Sequence, residues 1–234
     1  MTEGQIIVTG GSKGIGLAIA QHLVSHGRRV VCLSRSGTGP VGEHIACDMT
    51  DEIAVRAAMA EIAAKGPIAG LVNNAGVHIG GAAATLSVAD FNRTMALNVT
   101  AVMVAAREAF PFLSQHGGTI VNIGSFFDRM GVPDNLAYCA SKAAVAAMTR
   151  VLAVEWARHG IRVINVAPGY IETDLNRDYL AREKVRAWMS SRIPTGAPGK
   201  SDDVAQLVTA LLTASIPFLT GETIYIDGAQ GINH

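Results

Sequence analysis

Tyr138 and Lys142 stand four residues apart in the run Tyr-Cys-Ala-Ser-Lys, and Ser125 lies thirteen residues upstream of the tyrosine. On a helix that spacing brings the phenol and the ammonium to one face. A phenol titrating near about 10 is a poor proton exchanger at neutral pH unless a neighbouring cation favours its phenolate. At about 4 Å and an effective dielectric near about 20, an ammonium contributes up to about 4 kcal/mol, or roughly three pKa units. Ser125 closes a predicted strand, at the end where open α/β sheets bind ligands, and offers a hydroxyl to hold a substrate oxygen. Together these groups suit proton exchange with a substrate oxygen. An ordinary amphipathic helix with a buried Tyr and a surface Lys has the same spacing.

A second constellation is Thr9-Gly10-Gly11-Ser12-Lys13-Gly14-Ile15-Gly16, between an apolar run and a helical pattern. Glycines there allow a tight turn and close approach of the backbone to a pyrophosphate, while the N–H groups of the following helix supply the positive end. A plain strand-to-helix turn would tolerate the same glycines. A Walker A loop is excluded, because it needs Gly-Lys followed by Ser or Thr and the order here is Gly-Ser-Lys.

Positioning those groups requires strands that end beside them. Residues 5–9 form a short apolar run, and 15–26 show helical spacing that Gly27 stops. Further strands are predicted at 30–33, 45–47, from Leu71 onward, and at 119–123, 162–167 and 223–226. Helices are predicted at 50–65, capped by Thr50, and at 87–112, 137–159, 178–191 and 202–212. Strands alternating with helices imply a mostly parallel sheet covered on both faces, since each parallel crossover needs a covering element. Residues 34–43 hold three glycines and a proline and cannot sustain a helix, so that edge of the sheet should be thinly covered. No repeat or linker divides the 234 residues, which suit a single α/β domain.

Nineteen Lys plus Arg balance nineteen Asp plus Glu, with only 16% of residues charged, so no charge excess draws nucleic acid or an acidic membrane surface. Mean hydropathy is high at +0.29. No uninterrupted apolar run reaches the roughly 18 residues of a membrane span, which assigns the surplus apolar surface to contacts between subunits. Cys32, Cys47 and Cys139 lack CxxC spacing and read as reduced thiols in a cytoplasmic protein without an export signal. Cys139 points about 100° away from Tyr138 on a helix, as buried filler. The seven histidines show no paired metal spacing, and no metal is expected.

The motifs in combination resemble the short-chain dehydrogenase/reductase family over the whole chain. The matching pieces are Thr9 to Gly16, Cys47-Asp48, Asn73-Asn74-Ala75-Gly76, Asn98, Ser125, Tyr138 with Lys142, and Pro168-Gly169 followed by Thr173. Within the family the chain is most similar to the 3-oxoacyl-(acyl carrier protein) reductases, through the run from Val166 to Asp174 and that from Leu219 to Thr223. The resemblance implies a three-layer Rossmann-like doubly wound parallel sheet of about seven strands, with a small helical substrate lid around 175–200. It implies a catalytic set of Asn98, Ser125, Tyr138 and Lys142. Tyr138 would be the general acid, Ser125 would hold the carbonyl oxygen, Lys142 would lower the Tyr138 pKa and bind the nicotinamide ribose, and Asn98 would anchor a water behind Lys142.

The cofactor implied is NADP(H), held by Gly10, Ser12, Lys13, Gly14, Ile15 and Gly16. Ser34 occupies the place where NAD-users carry an acid, and Arg35 and Lys13 would meet a 2′-phosphate. Asp48 would contact the adenine; Asn73, Asn74, Ala75 and Gly76 would border the adenosine ribose and its neighbours; Pro168, Gly169, Ile171 and Thr173 would reach the nicotinamide carboxamide. Substrate would meet Ser125, Phe127, Tyr138 and Tyr170. Phe126-Phe127-Asp128-Arg129-Met130 departs from the small residues usual after that serine, and the two aromatics either line the pocket or pack beneath the lid, where Tyr179, Leu180, Trp188 and Met189 lie. Arg177 stands where carrier-binding reductases keep a basic residue near the entrance, whereas Gly117-Gly118 replaces another. The expected activity is NADPH-dependent reduction of a 3-oxoacyl thioester, with an acyl carrier protein as partner, or of a small cyclic or aryl ketone. An oxidative alcohol or dihydrodiol dehydrogenase and a non-catalytic dinucleotide sensor are the alternatives. Apolar helices around 97–110 and 143–152 imply a homo-oligomer, a dimer or tetramer.

Overall fold

The structure, a computed structural model, describes residues 4–174 and 176–233, the side chain of Tyr179 excepted. Of the lid residues singled out above, Tyr179 therefore lies outside the described side chains. The chain runs β1 (Gln5–Thr9), α1 (Gly14–Ser25), β2 (Arg29–Ser34), β3 (Glu43–Ala46), α2 (Glu52–Ala64), β4 (Ile68–Asn73) and α3 (Val88–Met95). After a π turn at Ala96–Thr100 follow α4 (Ala101–Leu113), β5 (Gly118–Ile123), α5 (Leu136–Trp156), β6 (Ile161–Pro168) and β7 (Ile171–Glu172). The remainder is α6 (Arg177–Leu180), α7 (Glu183–Arg192), β8 (Gly199–Lys200), α8 (Ser201–Thr213) and β9 (Thr223–Ile226).

Seven strands form one parallel sheet in the order β3-β2-β1-β4-β5-β6-β9. The interior strands are apolar on both faces because helices cover both. In β1, Ile7 joins a core with Val55 and Met59 of α2 and Val104, Ala105 and Ala109 of α4, while Ile6 and Val8 join Ile19 and Leu23 of α1 and Val204 and Val208 of α8. The chain steps outward from β1 to β3 on one side and from β4 to β9 on the other. This reversal opens a crevice beyond the carboxyl ends of β1 and β4, the place where such sheets take ligands.

Several boundaries differ from the sequence reading. The helix over 87–112 is interrupted by the π turn, where one extra residue per turn passes unnoticed in a hydrophobic pattern. Asp51, not Thr50, caps α2, accepting from Ile53 N at 2.9 Å and Ala54 N at 3.1 Å, while the Thr50 hydroxyl donates to Asp48 Oδ1 at 2.7 Å. The helix over 178–191 divides into α6 and α7, and the two-residue strands β7 and β8 went unread because so short a ladder has no periodicity. That ladder pairs Ile171 with Gly199 and so ties together the two feet of the α6–α7 excursion. Residues 35–42 contain no helix, as their glycines dictate. By length and composition, the helical stretches Val88–Leu113 and Leu136–His159 are apolar enough to cross a membrane, which no count of consecutive apolar residues reveals. Here they lie along the sheet, with Val104, Ala109 and Ala153 in its core.

Candidate active site

The glycine run between β1 and α1 is shaped by contacts that no side chain would survive. Gly10 and Gly14 take φ of 68° and 56°, and a Cβ on Gly16 would come to 2.3 Å from the Gly10 carbonyl oxygen. Lys13, the residue preceding α1, gives no side-chain cap, and the first turn holds no acid, so the positive end of the helix is left open. Across the gap the nearest atom to a Cβ on Gly14 is Thr173 Cγ2, at 3.9 Å. The cradle is braced from β4: Thr9 Oγ1 accepts from the N–H groups of Asn74 and Ala75 at 3.0 Å each, and Asn74 Nδ2 donates to the carbonyls of Thr9 and Gly10 at 3.0 and 3.2 Å. Asn74 is thus spent on joining two loops. Asn73 points into the sheet instead of the crevice and donates to Asn122 Oδ1 at 2.9 Å.

At the end of β2, Ser34 is buried with its hydroxyl 3.2 Å from that of Ser36, and Arg35 and Lys13 are exposed. Asp48, hydrogen-bonded by the Thr50 amide and hydroxyl and felt by the Arg35 charge, titrates below the ordinary carboxylate range. Gly76 and Ala75 border the crevice, with a Cβ on Gly76 meeting Asn98 Oδ1 at 3.2 Å. Gly169 is pressed against Asp227, the nearest atom 2.7 Å from its would-be Cβ. The Ile171 side chain is packed in the core around α8. Ser12 and Ile15 are half-buried on the cradle, and Pro168 is buried at the end of β6.

Ser125, Tyr138 and Lys142 come together beyond β5. The Ser125 hydroxyl hydrogen-bonds the Tyr138 phenol and accepts from Phe127 N at 3.2 Å. Lys142 Nζ lies 5.5 Å from the Tyr138 ring centroid, on the same side of α5, and donates to the Ile123 carbonyl at 2.7 Å. Burial pushes the phenol up to about 12, opposed by the Ser125 hydrogen bond, and pushes the Lys142 ammonium down to about 8. Lys142 is not among the causes that set the phenol's position in this structure. Desolvation dominates at both groups, and the ammonium is turned toward a backbone carbonyl.

Asn98 sits in the π turn and is buried. Its Oδ1 accepts from Val77 N at 2.8 Å, and its Nδ2 donates to Val77 O at 2.9 Å and to Ser141 Oγ at 3.1 Å. Ser141 Oγ in turn donates to the Tyr138 carbonyl at 2.7 Å. Both side-chain donors are therefore engaged by protein, and the side chain braces the 76–78 loop and the first turn of α5. Ser141, His78 and Asn135 were missed by sequence reasoning. His78 follows the Asn-Asn-Ala-Gly run by two residues, which was the only available signal.

An aromatic wall closes the substrate side. Phe127 meets Tyr138 edge-on with ring centroids 5.9 Å apart, and both Phe126 and Phe127 reach Tyr170, which meets Trp188 of α7 at 5.7 Å. Both phenylalanines are buried, so they pack beneath α7 while Phe127 also flanks the phenol. Leu180 and Met189 form a small core with Tyr170. A cavity of about 400 Å³ opens between α6, α7 and residues 196–198, and its lining includes none of Ser125, Tyr138 or Lys142. Arg129 lies 3.6 Å over the Tyr225 ring, away from the phenol. Arg177 is paired with Glu172 at 3.1 Å and Asp174 at 2.9 Å, and Gly117-Gly118 lies at the opposite, amino end of β5.

A family model described as Enoyl-(Acyl carrier protein) reductase matches residues 10–230. The chain belongs to the short-chain dehydrogenase/reductase family. It is an oxidoreductase of the kind that acts on CH–OH groups. It is 36% identical over 227 residues to the Inactive 2-(S)-hydroxypropyl-CoM dehydrogenase 2 of Xanthobacter autotrophicus, covering 91% of this chain and 99% of that protein. It is 34% identical over 232 residues to the 3-oxoacyl-[acyl-carrier-protein] reductase MabA of Mycobacterium bovis, covering 98% and 93%. The gluconate 5-dehydrogenase of Burkholderia cenocepacia in complex with NADP and tartrate superposes with a TM-score of 0.93 at 30% identity, covering 100% of this chain and 97% of that one. The family binds NAD(P). This chain's residues fit such a group: a glycine cradle that a Cβ would fill, an open helix N-terminus, and basic groups beside the end of β2.

Proposed function

We propose that the protein is an NADPH-dependent reductase of small ketones. The observation that carries this reading is the convergence of the Tyr138 phenol, hydrogen-bonded to Ser125, with the buried Lys142 one turn along the same helix, at the sheet end beside the glycine cradle. When bound, NADPH would supply the hydride. Tyr138 donates its proton to the carbonyl oxygen, and the Ser125 hydroxyl orients that oxygen. Burial holds the phenol above its ordinary range, so proton transfer from Tyr138 needs the phenolate it leaves to be stabilised by Ser125 and Lys142 in the loaded site. Lys142 and Tyr138 would meet the nicotinamide ribose, and Lys13, Ser34 and Arg35 a 2′-phosphate. Asn98 is a positioning residue through Val77 and Ser141. Residues 176–200 act as the lid.

The pairing of Arg177 with two acids weighs against the acyl-carrier reading, since its charge is already answered. The aromatic wall favours a compact ketone over a long acyl chain. A silent dinucleotide sensor has no use for Ser125, Tyr138 and Lys142 in one place. A homo-oligomer belongs to the same reading, because α4 and α5 expose Met103, Val151 and Val154. Three free thiols suit a reducing, cytoplasmic setting.

The test is NADPH oxidation with cyclic ketones, aryl ketones and acetoacetyl thioesters, using wild type and Tyr138→Phe. We expect turnover of ketones to fall at least about a thousandfold in the variant while NADPH still binds. Near-normal turnover by Tyr138→Phe refutes the assignment.

A further inference from the structure

His78 stands beside the phenol, in a loop that carries no other titratable side chain near it. Its ring meets that of Tyr138 edge-on, with centroids 4.8 Å apart and planes at 67°. The residue before it is fixed, since Asn98 grips both the N–H and the C=O of Val77. The imidazole itself is fixed by Asn135, at the start of α5, whose Oδ1 is hydrogen-bonded to His78 Nε2.

The orientation of that amide decides which ring nitrogen remains available. Asn135 Nδ2 donates to the Pro133 carbonyl at 2.7 Å, so Oδ1 is the atom turned to the histidine, and a carboxamide oxygen only accepts. His78 Nε2 must then carry the hydrogen. In the neutral imidazole Nδ1 is left as a bare acceptor, and among the described residues it has no hydrogen-bond partner. The side chain is exposed, so that lone pair is open to a ligand.

We propose that His78 is a specificity-determining residue whose Nδ1 accepts a hydrogen bond from a hydroxyl on the carbon next to the reacting carbonyl. The substrate class it selects is the α-hydroxy ketone, of sugar or polyol type, over ketones and acyl thioesters that offer no donor there. Three features support it: the ring contact with Tyr138, the double clamp on Val77, and the tautomer set by Asn135. An acceptor held rigidly in place discriminates well, because little ordering remains to be done when the substrate arrives. The inference rests on the reductase reading given above.

Matched ketones of equal size provide the test. The kcat/KM with NADPH is measured for hydroxyacetone against butanone, and for 2-hydroxyacetophenone against propiophenone, in wild type, His78→Phe and Asn135→Leu. Phenylalanine keeps the ring edge against Tyr138 but removes the acceptor, and leucine frees the tautomer. We expect wild type to favour each hydroxylated partner about tenfold, the worth of one net hydrogen bond, and His78→Phe to bring the ratio to about one. Asn135→Leu should give an intermediate ratio. NADPH binding by titration checks that each variant is folded. Equal efficiency for the paired ketones in wild type, or a preference that survives His78→Phe, overturns the inference and leaves the reductase reading standing. Failure to reduce any of the four ketones while NADPH binds brings down the reductase reading, and this inference with it.

Discussion

Lys142 is a cation kept where water would not keep it, hydrogen-bonded to the Ile123 carbonyl at 2.7 Å and with a pKa brought from 10.5 to about 8. The charged form is therefore disfavoured in the fold. The penalty is present in full below pH 8 and fades as the pH climbs from about 8 to about 10.5, where the unfolded chain also loses its proton. A shift of this size corresponds to about 3 kcal/mol, and removing the side chain also forfeits one hydrogen bond worth about 1 kcal/mol. Lys142→Met is thus expected to be about 2 kcal/mol more stable than wild type at pH 7, with the gap closing by pH 10, and to lose turnover. Urea unfolding at the two pH values measures this; a variant no more stable at pH 7, or a gap unchanged at pH 10, rejects it. The spacing of Tyr138 and Lys142 shows in the sequence that they share a helix face. The rise of the phenol to about 12 does not show there, because it comes from burial that involves Phe127 and His78 on other elements.

The π turn at Ala96–Thr100 is the element that turns Asn98 onto the neighbouring loop. Its three hydrogen bonds hold Val77 from both sides and reach Ser141, whose hydroxyl steadies the backbone of Tyr138. Asn98→Ala should destabilise the protein by about 3 kcal/mol, at about 1 kcal/mol per bond, and speed amide exchange at Val77 well beyond that of β4. Exchange at Val77 that matches wild type would remove this bracing role. A helical hydrophobic pattern continues on both sides of the turn, so the sequence reads as one helix over 87–112. The cap of α2 was misread for a related reason: Thr50 and Asp51 are adjacent and both competent, and only the hydrogen bond that Thr50 gives to Asp48 removes it from the choice. The first and last strands, 5–9 and 223–226, coincide with β1, which is buried, and β9, which is half-buried, since an apolar run flanked by glycine or acidic turn residues leaves little freedom.

At the scale of the whole molecule, α5 carries Tyr138 and Lys142 in its first two turns and presents Val151 and Val154 to the outside near its other end, 54% and 80% exposed. Large β-branched side chains so exposed, together with Met103 exposed on α4, suit a second copy of the chain. Val154→Lys is expected to shift the protein to monomer at micromolar concentration in sedimentation, and a wild type that is already monomeric removes the interface. Alternation of strand and helix was enough to foresee a parallel sheet with covering on both faces. The association of β7 with β8 and the aromatic wall were not foreseeable, because they join residues far apart in sequence through contacts without period. The helix-free connection from β2 to β3 adds only Val41 to the packed interior. Gly37 and Gly42 must stay, since both hold positive φ and press against Ala46 and the Val30 carbonyl, but the exposed side chains between them can be exchanged at little cost to the rest of the molecule, so a change of coenzyme appetite is within reach of a handful of mutations in a single exposed stretch.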